Sequence, residues 1–402
     1  MNRLESLLDY AKNHVPFQRR RAPKHHLVLR DWPFMSKHDL VTHSLDISND
    51  LLSEIREPGG SILASGGTTA TPKYVYYSHS EVAAASRNIA DHLMANGMES
   101  GDRVVNYFDS GDLWSAFLLA DKALCLLPVT VFPVGYTGRM ENALQVLERL
   151  QPNVIVGVPS MILSFAHYCV SQGKQVAVRK VFYGGESMTC QASEALVSIW
   201  GCDLVRSIGY ASTEVGSIGW QCPHCKTGEH YPFEDMLVEI VDDEIVATSL
   251  TRRAMPIIRY RTGDRGEWVT PSCDCARGAP AFRLCGRLDN AMIIWGCWVL
   301  YDDLVKALED LDIGFTAVQA HVYSTENGAA LAVKFESLVQ SALKPDAQLR
   351  DKFYERSRDL RSIVTRGMLD QCLSFEKVSA GTLQRNARTG KVIPIIDSRV
   401  GC

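Results

Sequence analysis

Residues 65–73 read SGGTTATPK and put two glycines, three threonines and a lysine between an apolar run and the aromatic, β-branched run YVYYS. A glycine-rich loop between two strands can turn successive backbone N–H groups toward an anion, with hydroxyls and Lys73 adding directed donors. Glycine serves tight turns equally well. The loop does not match G-x-x-x-x-G-K-[ST], because Lys73 follows Pro72 and no helix-opening Ser or Thr comes after it. Phosphate grip and plain turn both fit these nine residues taken alone. A second group with chemical potential is Cys222-Pro-His-Cys225 with Cys273-Asp-Cys275, two tight thiol pairs on either side of an alternating segment. Four thiolates suit tetrahedral Zn²⁺ in a closed structural site, with His224 or His230 able to replace one thiol; unligated buried cysteines are the other reading.

The elements that must hold these groups follow from composition and periodicity. The 402 residues are 46% apolar and 22% charged, with 42 Lys and Arg against 46 Asp and Glu. A formal charge of −4 argues against a nucleic-acid binder, since no basic excess is present to displace counterions from a phosphate backbone. No apolar stretch reaches the length of a membrane span and the first 21 residues have no signal-like apolar region, so a soluble, cytoplasmic protein without a membrane partner is expected. That N-terminal segment reads as an amphipathic helix with Leu4, Leu7, Leu8 and Ala11 on one side. Twelve cysteines without a signal-like segment point to reduced thiols and metal ligands rather than a disulfide framework.

Apolar runs at 103–108, 126–132, 153–158 and 178–183 read as short buried strands, and residues 82–97 and 195–200 as helices. This alternation means α/β. Residues 236–250 alternate as a β-hairpin around Asp242 and Asp243. After residue 290 the order strand, helix, strand, strand, helix reads as a small α+β domain. The expected organisation is a large N-terminal domain with mixed sheets over 1–288, carrying an inserted zinc-bound hairpin at about 220–276, and a C-terminal βαββα domain over 289–402.

Further along the chain come YGGE at 183–186, GYASTE at 209–214, YRTGD at 260–264, GRLD at 286–289 and a Gly-Lys pair at 390–391. In this order and spacing they resemble the adenylate-forming (ANL) superfamily of acyl-CoA synthetases, adenylation domains and luciferases. WPFMSKHDL at 32–40, TRRAMPIIRYRTGD at 251–264, the Cys-Asp-Cys pair and GRLDNAMII resemble its phenylacetate-CoA ligase-like branch. The resemblance implies that a carboxylic acid, often aromatic, is activated by ATP to an acyl-AMP with release of pyrophosphate. Such a reaction must bring two anions together and neutralise the charge that develops.

By the same resemblance Ser65, Gly66, Gly67, Thr68, Thr69 and Lys73 form the phosphate loop. Gly184, Gly185 and Glu186 lie on the adenine side, and Tyr210 stacks on adenine. Thr213 and Glu214 meet the α-phosphate and Mg²⁺, Asp264 accepts the ribose hydroxyls, and Arg287 lies near ribose and phosphate. Asp289 is the hinge of a mobile C-terminal domain, and Lys391 bridges carboxylate and α-phosphate. Members of the branch carry a metal site in the region of the four cysteines, which agrees with zinc. Tyr107, Phe108, Phe182, Tyr183 and Gly209, which flank the nucleotide motifs, are the expected acyl pocket.

A C-terminal domain with Lys391 implies a second step onto a thiol, CoA or a carrier protein's phosphopantetheine. The sequence departs from the family pattern at Ala70 and Ala211, where glycine is usual, and at Trp295, where the branch often has arginine. Direct amide formation with an amine acceptor is therefore one rival, and a nucleotide-binding pseudoenzyme partner another. A homodimer is among the assemblies the resemblance allows.

Overall fold

The computed structural model describes the whole chain apart from residues 1, 25–27, 65–72, 112, 137–139, 186–187, 189, 227, 272, 274, 276–277, 289, 295–296, 326–327, 338–345, 357–372, 387–389 and 399–402. It divides into two compact units. One comprises residues 1–158, 174–187 and 200–285; the other comprises 159–173, 188–199 and 286–402.

In the first unit a five-stranded parallel sheet runs in the order Thr130–Phe132, Arg103–Asn106, Val154–Gly157, Lys180–Tyr183, Leu204–Ser207. Val154–Gly157, at its centre, is buried along its whole length, as a parallel strand covered on both faces must be. A separate antiparallel hairpin pairs Gly60–Ala64 with Tyr74–Ser78, with Ala64 opposite Tyr74. The glycine-rich loop therefore joins two adjacent strand ends. Ser78 closes this hairpin and opens the helix His79–Ala95 through a capping box with Glu81. Gly97, at φ +105°, lets the chain leave that helix.

A second, seven-stranded sheet has the order Met236–Val241, Glu244–Ser249, Tyr260–Val269, Ala281–Arg287, Glu229–Pro232, Gly216–Trp220, Tyr210–Ser212. The hairpin expected around Asp242 and Asp243 forms, with Val241 opposite Glu244 and both aspartates in the left-handed region at φ 52° and 60°. Most of the segment 220–276 lies within this sheet, whose strands pack Ile218, Ile245 and Phe282 against Leu63, Val75 and Val82. The N-terminal helix Arg3–His14 buries Leu7, Leu8 and Ala11 with Trp32 and Ile258, and Leu4 packs beside them.

In the second unit a hairpin of Ala291–Ile294 and Cys297–Leu300 precedes the helix Tyr301–Asp310. The strands Ala317–Thr325 and Gly328–Glu336 then pair antiparallel, and the helix Asp346–Arg356 follows. The expected βαββα order is present with one strand more, because a hairpin rather than a single strand precedes the first helix. Two parallel edge strands, Leu373–Val378 and Ile395–Asp397, complete a four-stranded sheet. Leu304, Leu308, Val318, Val322, Leu331 and Phe353 lie in its core. Among the described residues no helix is long and apolar enough to cross a membrane.

Candidate active site

Lys73 stands at the start of the strand Tyr74–Ser78, and its Nζ lies 3.0 Å from Glu214 Oε1 with both side chains largely buried. The strand supports the partner directly, because Tyr77 donates its hydroxyl to the Thr213 carbonyl at 2.9 Å. Thr213 Oγ1 is in turn 3.0 Å from Ser115 Oγ, at the first residue of the helix Ser115–Leu124. Burial raises the Tyr77 phenol's pKa and keeps it a donor.

Arg252, which the sequence reading left without a role, ties these pieces together. It is 3% exposed. Its Nη1 donates to the Glu214 carbonyl at 2.9 Å and its Nη2 to the Tyr76 carbonyl at 2.6 Å, while the guanidinium lies 3.5 Å over the Tyr77 ring. Glu81 Oε2 is 3.7 Å from Arg252 Nε. The same carboxylate accepts the N–H groups of Ser78, Arg253 and Ala254. One buried cation thus fixes the strand after Lys73 against the turn carrying Glu214. Sequence offered a weak signal, an Arg-Arg pair just before MPIIRY, with nothing to say that the first arginine turns inward.

Tyr210 and Asp264, 54 residues apart, meet directly through a 2.6 Å bond from the phenol to Asp264 Oδ2. Asp264 is held by its own N–H donating to Thr262 Oγ1, whose hydroxyl donates to the Ile245 carbonyl. Gly209 needs to be glycine: its φ is +101°, and a Cβ there would stand 2.8 Å from the Gly219 carbonyl oxygen. Ala211 differs. It pairs with Ser217 in the strand Tyr210–Ser212 and has no positive φ, so the backbone at this position makes no demand for glycine.

Tyr107, Phe108 and Phe182 are 2%, 1% and 0% exposed and pack as core, with Tyr183 half-buried at the same carboxyl end of the parallel sheet. Gly184 leaves room for Ile208, whose Cγ1 would lie 2.6 Å from an added Cβ. An open cleft of about 430 Å³ lies elsewhere, walled by Ile62, Leu63, Leu113, Trp114, Phe117 and Leu118. Its rim is tied to the hairpin of Gly60–Ala64 and Tyr74–Ser78 by the Ala64 N–H donating to the Leu113 carbonyl at 2.8 Å. Trp114 immediately precedes Ser115, the partner of Thr213.

Ser65, Gly66, Gly67, Thr68 and Thr69 of the loop, Glu186, the hinge candidate Asp289, and the departures Ala70 and Trp295 lie outside the described residues. Gly185 is described, at φ +81°. Arg287 ends the strand Ala281–Arg287, one residue after Gly286, where Asp302 Oδ2 fills the space a Cβ would take. Lys391 belongs to the second unit, and its carbonyl accepts the Asn386 N–H at 2.7 Å.

The four cysteines converge in part. Cys222 Sγ is 3.5 Å from Cys225 Sγ and 3.2 Å from Cys273 Sγ, and the sulfurs of Cys222, Cys273 and Cys275 lie within 4.8 Å of one another. Four thiolates about 2.3 Å from one Zn²⁺ would stand about 3.8 Å apart, close to these separations. Backbone N–H groups of Cys222 and His224 donate to Cys225 and Cys222 sulfurs, and the Tyr231 hydroxyl helps bring the Cys273 thiol down to about 7. The set fits a tetrahedral metal. His230 is engaged otherwise, with Nδ1 2.9 Å from the Gly228 carbonyl and its ring stacked on Phe282.

A family model for AMP-binding enzymes matches residues 61–248. The phenylacetate-coenzyme A ligase of Pseudomonas putida is 24% identical over 427 residues, spanning 100% of this chain and 93% of the relative. The indoleacetate–lysine synthetase of Pseudomonas savastanoi is 28% identical over 355 residues, 83% of each. Among solved structures, a 2-hydroxyisobutyryl-CoA ligase in the postadenylation state superposes with a TM-score of 0.76 at 19% identity, covering 98% of this chain and 88% of that one. An acyl acid amido synthetase gives 0.73 at 14%, covering 98% and 90%. The AMP-binding match spans the glycine-rich-loop hairpin and the Thr213–Glu214 turn, the fold agrees with that of these ligases along nearly the full length, and over residues 61–248 the chain matches the AMP-binding enzyme family, with phenylacetate-CoA ligases among its relatives.

Proposed function

We propose that the protein activates an aromatic carboxylic acid with ATP and then transfers the acyl group to the thiol of CoA. The observation that carries this reading is the buried Lys73–Glu214 pair, set beside Thr213 at the end of the phosphate-loop hairpin. In the first step a carboxylate oxygen attacks the α-phosphorus, the bond from that phosphorus to the pyrophosphate oxygen breaks, and an acyl-AMP forms. Lys73 holds the β- and γ-phosphates against the loop 65–69, where the threonine hydroxyls donate, and so stabilises the departing charge. Lys391 draws the carboxylate and the α-phosphate together, both being anions that repel without it. Tyr210 stacks on adenine beside Gly184, Gly185 and Glu186, and Asp264 accepts the ribose hydroxyls. Arg287 adds a cation near ribose and phosphate. Glu214 and Thr213 would hold a Mg²⁺ ion, which would supply charge neutralisation on the phosphates.

The cleft at Trp114 and Phe117 is of the size and apolar lining that suit the acid's ring. It shares no lining residue with the pocket expected from Tyr107, Phe108, Phe182, Tyr183 and Gly209, of which the first three pack as core. In the second step the CoA sulfur attacks the acyl carbon, the carbonyl carbon–oxygen bond to AMP breaks, and the thiol proton passes to solvent. A hinge at Asp289 would let one active site serve both steps. Cys222, Cys225, Cys273 and Cys275 would hold Zn²⁺ in a closed structural site, which would tie together two loops of the seven-stranded sheet.

A second reading has one specific support: a relative named for joining indoleacetate to lysine, as similar to this chain as the CoA ligases are. Product analysis separates the two. With ATP, Mg²⁺ and phenylacetate, addition of CoA is expected to yield phenylacetyl-CoA by mass, and addition of lysine to yield none of the amide. Amide without thioester would replace the CoA step with amine transfer.

A further inference from the structure

Two buried polar side chains in the second unit hold the legs of the loop that carries Lys391. Gln319, in the strand Ala317–Thr325, is 1% exposed, and Glu336, at the end of Gly328–Glu336, is 2% exposed. The Gln319 amide nitrogen donates to the Gln384 carbonyl at 2.9 Å and to the Ile393 carbonyl at 2.7 Å. Its Oε1 accepts the Gln384 N–H at 3.1 Å and faces His321 Nε2 at 3.0 Å. A carboxamide has two donor hydrogens and two acceptor lone pairs, and here all four are used. Glu336 grips the outgoing leg, accepting the Leu383 N–H at 3.0 Å and pairing with Arg385 Nη2 at 3.2 Å.

Between these anchors the chain folds back on itself. The Ile393 N–H donates to the Gln384 carbonyl at 3.1 Å, Asn386 N–H to the Lys391 carbonyl at 2.7 Å, and Gly390 N–H to the Asn386 carbonyl at 2.8 Å, with Gly390 at φ +64°. Arg385 and Val392 form an isolated antiparallel bridge. Lys391 thus sits near the end of a narrow loop whose neck is one glutamine wide. A buried amide inside an apolar sheet is costly unless every bond is made.

We propose that Gln319, with Glu336 behind it, is a positioning residue for Lys391: it fixes the loop neck so that the ammonium is presented in one place during adenylation. This rests on the role proposed for Lys391, so the test carries a control for it. In the full-length chain, Gln319→Leu and Glu336→Gln are compared with Lys391→Ala in two half-reactions: phenylacetate-dependent ATP/pyrophosphate exchange, and thioester formation from supplied phenylacetyl-AMP and CoA. Exchange is expected to fall at least tenfold in Gln319→Leu and severalfold in Glu336→Gln, while thioester formation stays within twofold of the parent. Amide hydrogen exchange is expected to quicken at Gln384 and Ile393 and to stay slow across 318–322 and 330–335. Equal losses in both half-reactions, or exchange at the parent rate with faster amides at the neck, would overturn the proposal. If Lys391→Ala keeps full exchange, the role of Lys391 fails first; if only that variant loses exchange, the clamp fails alone.

Discussion

Arg252 is the residue whose removal tests the organisation of the site most sharply at this scale. Its two carbonyl bonds and its stacking on Tyr77 are made by a cation with 3% exposure, beside a carboxylate that already has three N–H donors. Arg252→Met keeps the length of the side chain and removes both donors. The expected cost is about 3 kcal/mol of unfolding free energy, since two buried carbonyls lose charge-assisted partners. Exchange activity should fall further than stability explains, because the Glu214 turn is no longer fixed to the strand after Lys73. Denaturant unfolding with activity measured well below the transition checks both; full activity in a destabilised protein would make Arg252 purely structural. His230 carries the second prediction at residue scale. Burial pushes it down to about 4, whereas the unfolded chain binds a proton near 6.5. The unfolded state then holds more protons over this window, so stability is lost as pH falls from about 6.5 toward 4, by roughly 3 kcal/mol. His230→Phe should flatten that acid slope in thermal melts at pH 7 and 4.5. An unchanged slope would place the proton uptake elsewhere.

At the scale of elements, the cysteines join segments that are distant in sequence: the turn after Gly216–Trp220 and the loop after Tyr260–Val269. A staple there spares the sheet the entropy of two loops. The protein as purified is expected to contain one zinc per chain by elemental analysis, and chelation should lower its melting temperature by several degrees without changing the acid specificity of exchange. Absence of metal, with a melting temperature indifferent to chelator, would leave four packed thiols. The Asp242–Asp243 turn and the parallel strands could be read from sequence because their signals are local: alternation, apolar runs and turn residues. The pairing of Glu229–Pro232 with Ala281–Arg287 could not, since its partners are about 50 residues apart and no local pattern encodes which edge accepts which strand. The inward turns of Arg252 and Gln319 were hidden for a related reason. Burial of a polar side chain depends on partners supplied by distant backbone carbonyls, and composition gives no hint of these. Tyr210 and Asp264 were recognisable through their motifs, but the 2.6 Å bond between them was not.

For the whole molecule the central proposal is that the chain joins a carboxylic acid to the AMP moiety of ATP as a mixed anhydride. Ala211 sits in extended strand that any residue adopts, which removes one of the two glycine departures that had pointed toward a pseudoenzyme. The direct measurement is exchange of labelled pyrophosphate into ATP with Mg²⁺, across a panel of aromatic and small aliphatic acids with phenylacetate included. Exchange is expected only when an acid is present, strongest with an aromatic one, and reduced at least a hundredfold in Lys73→Met and Lys391→Ala. A protein that binds ATP yet shows no acid-dependent exchange with any member of the panel would contradict the account.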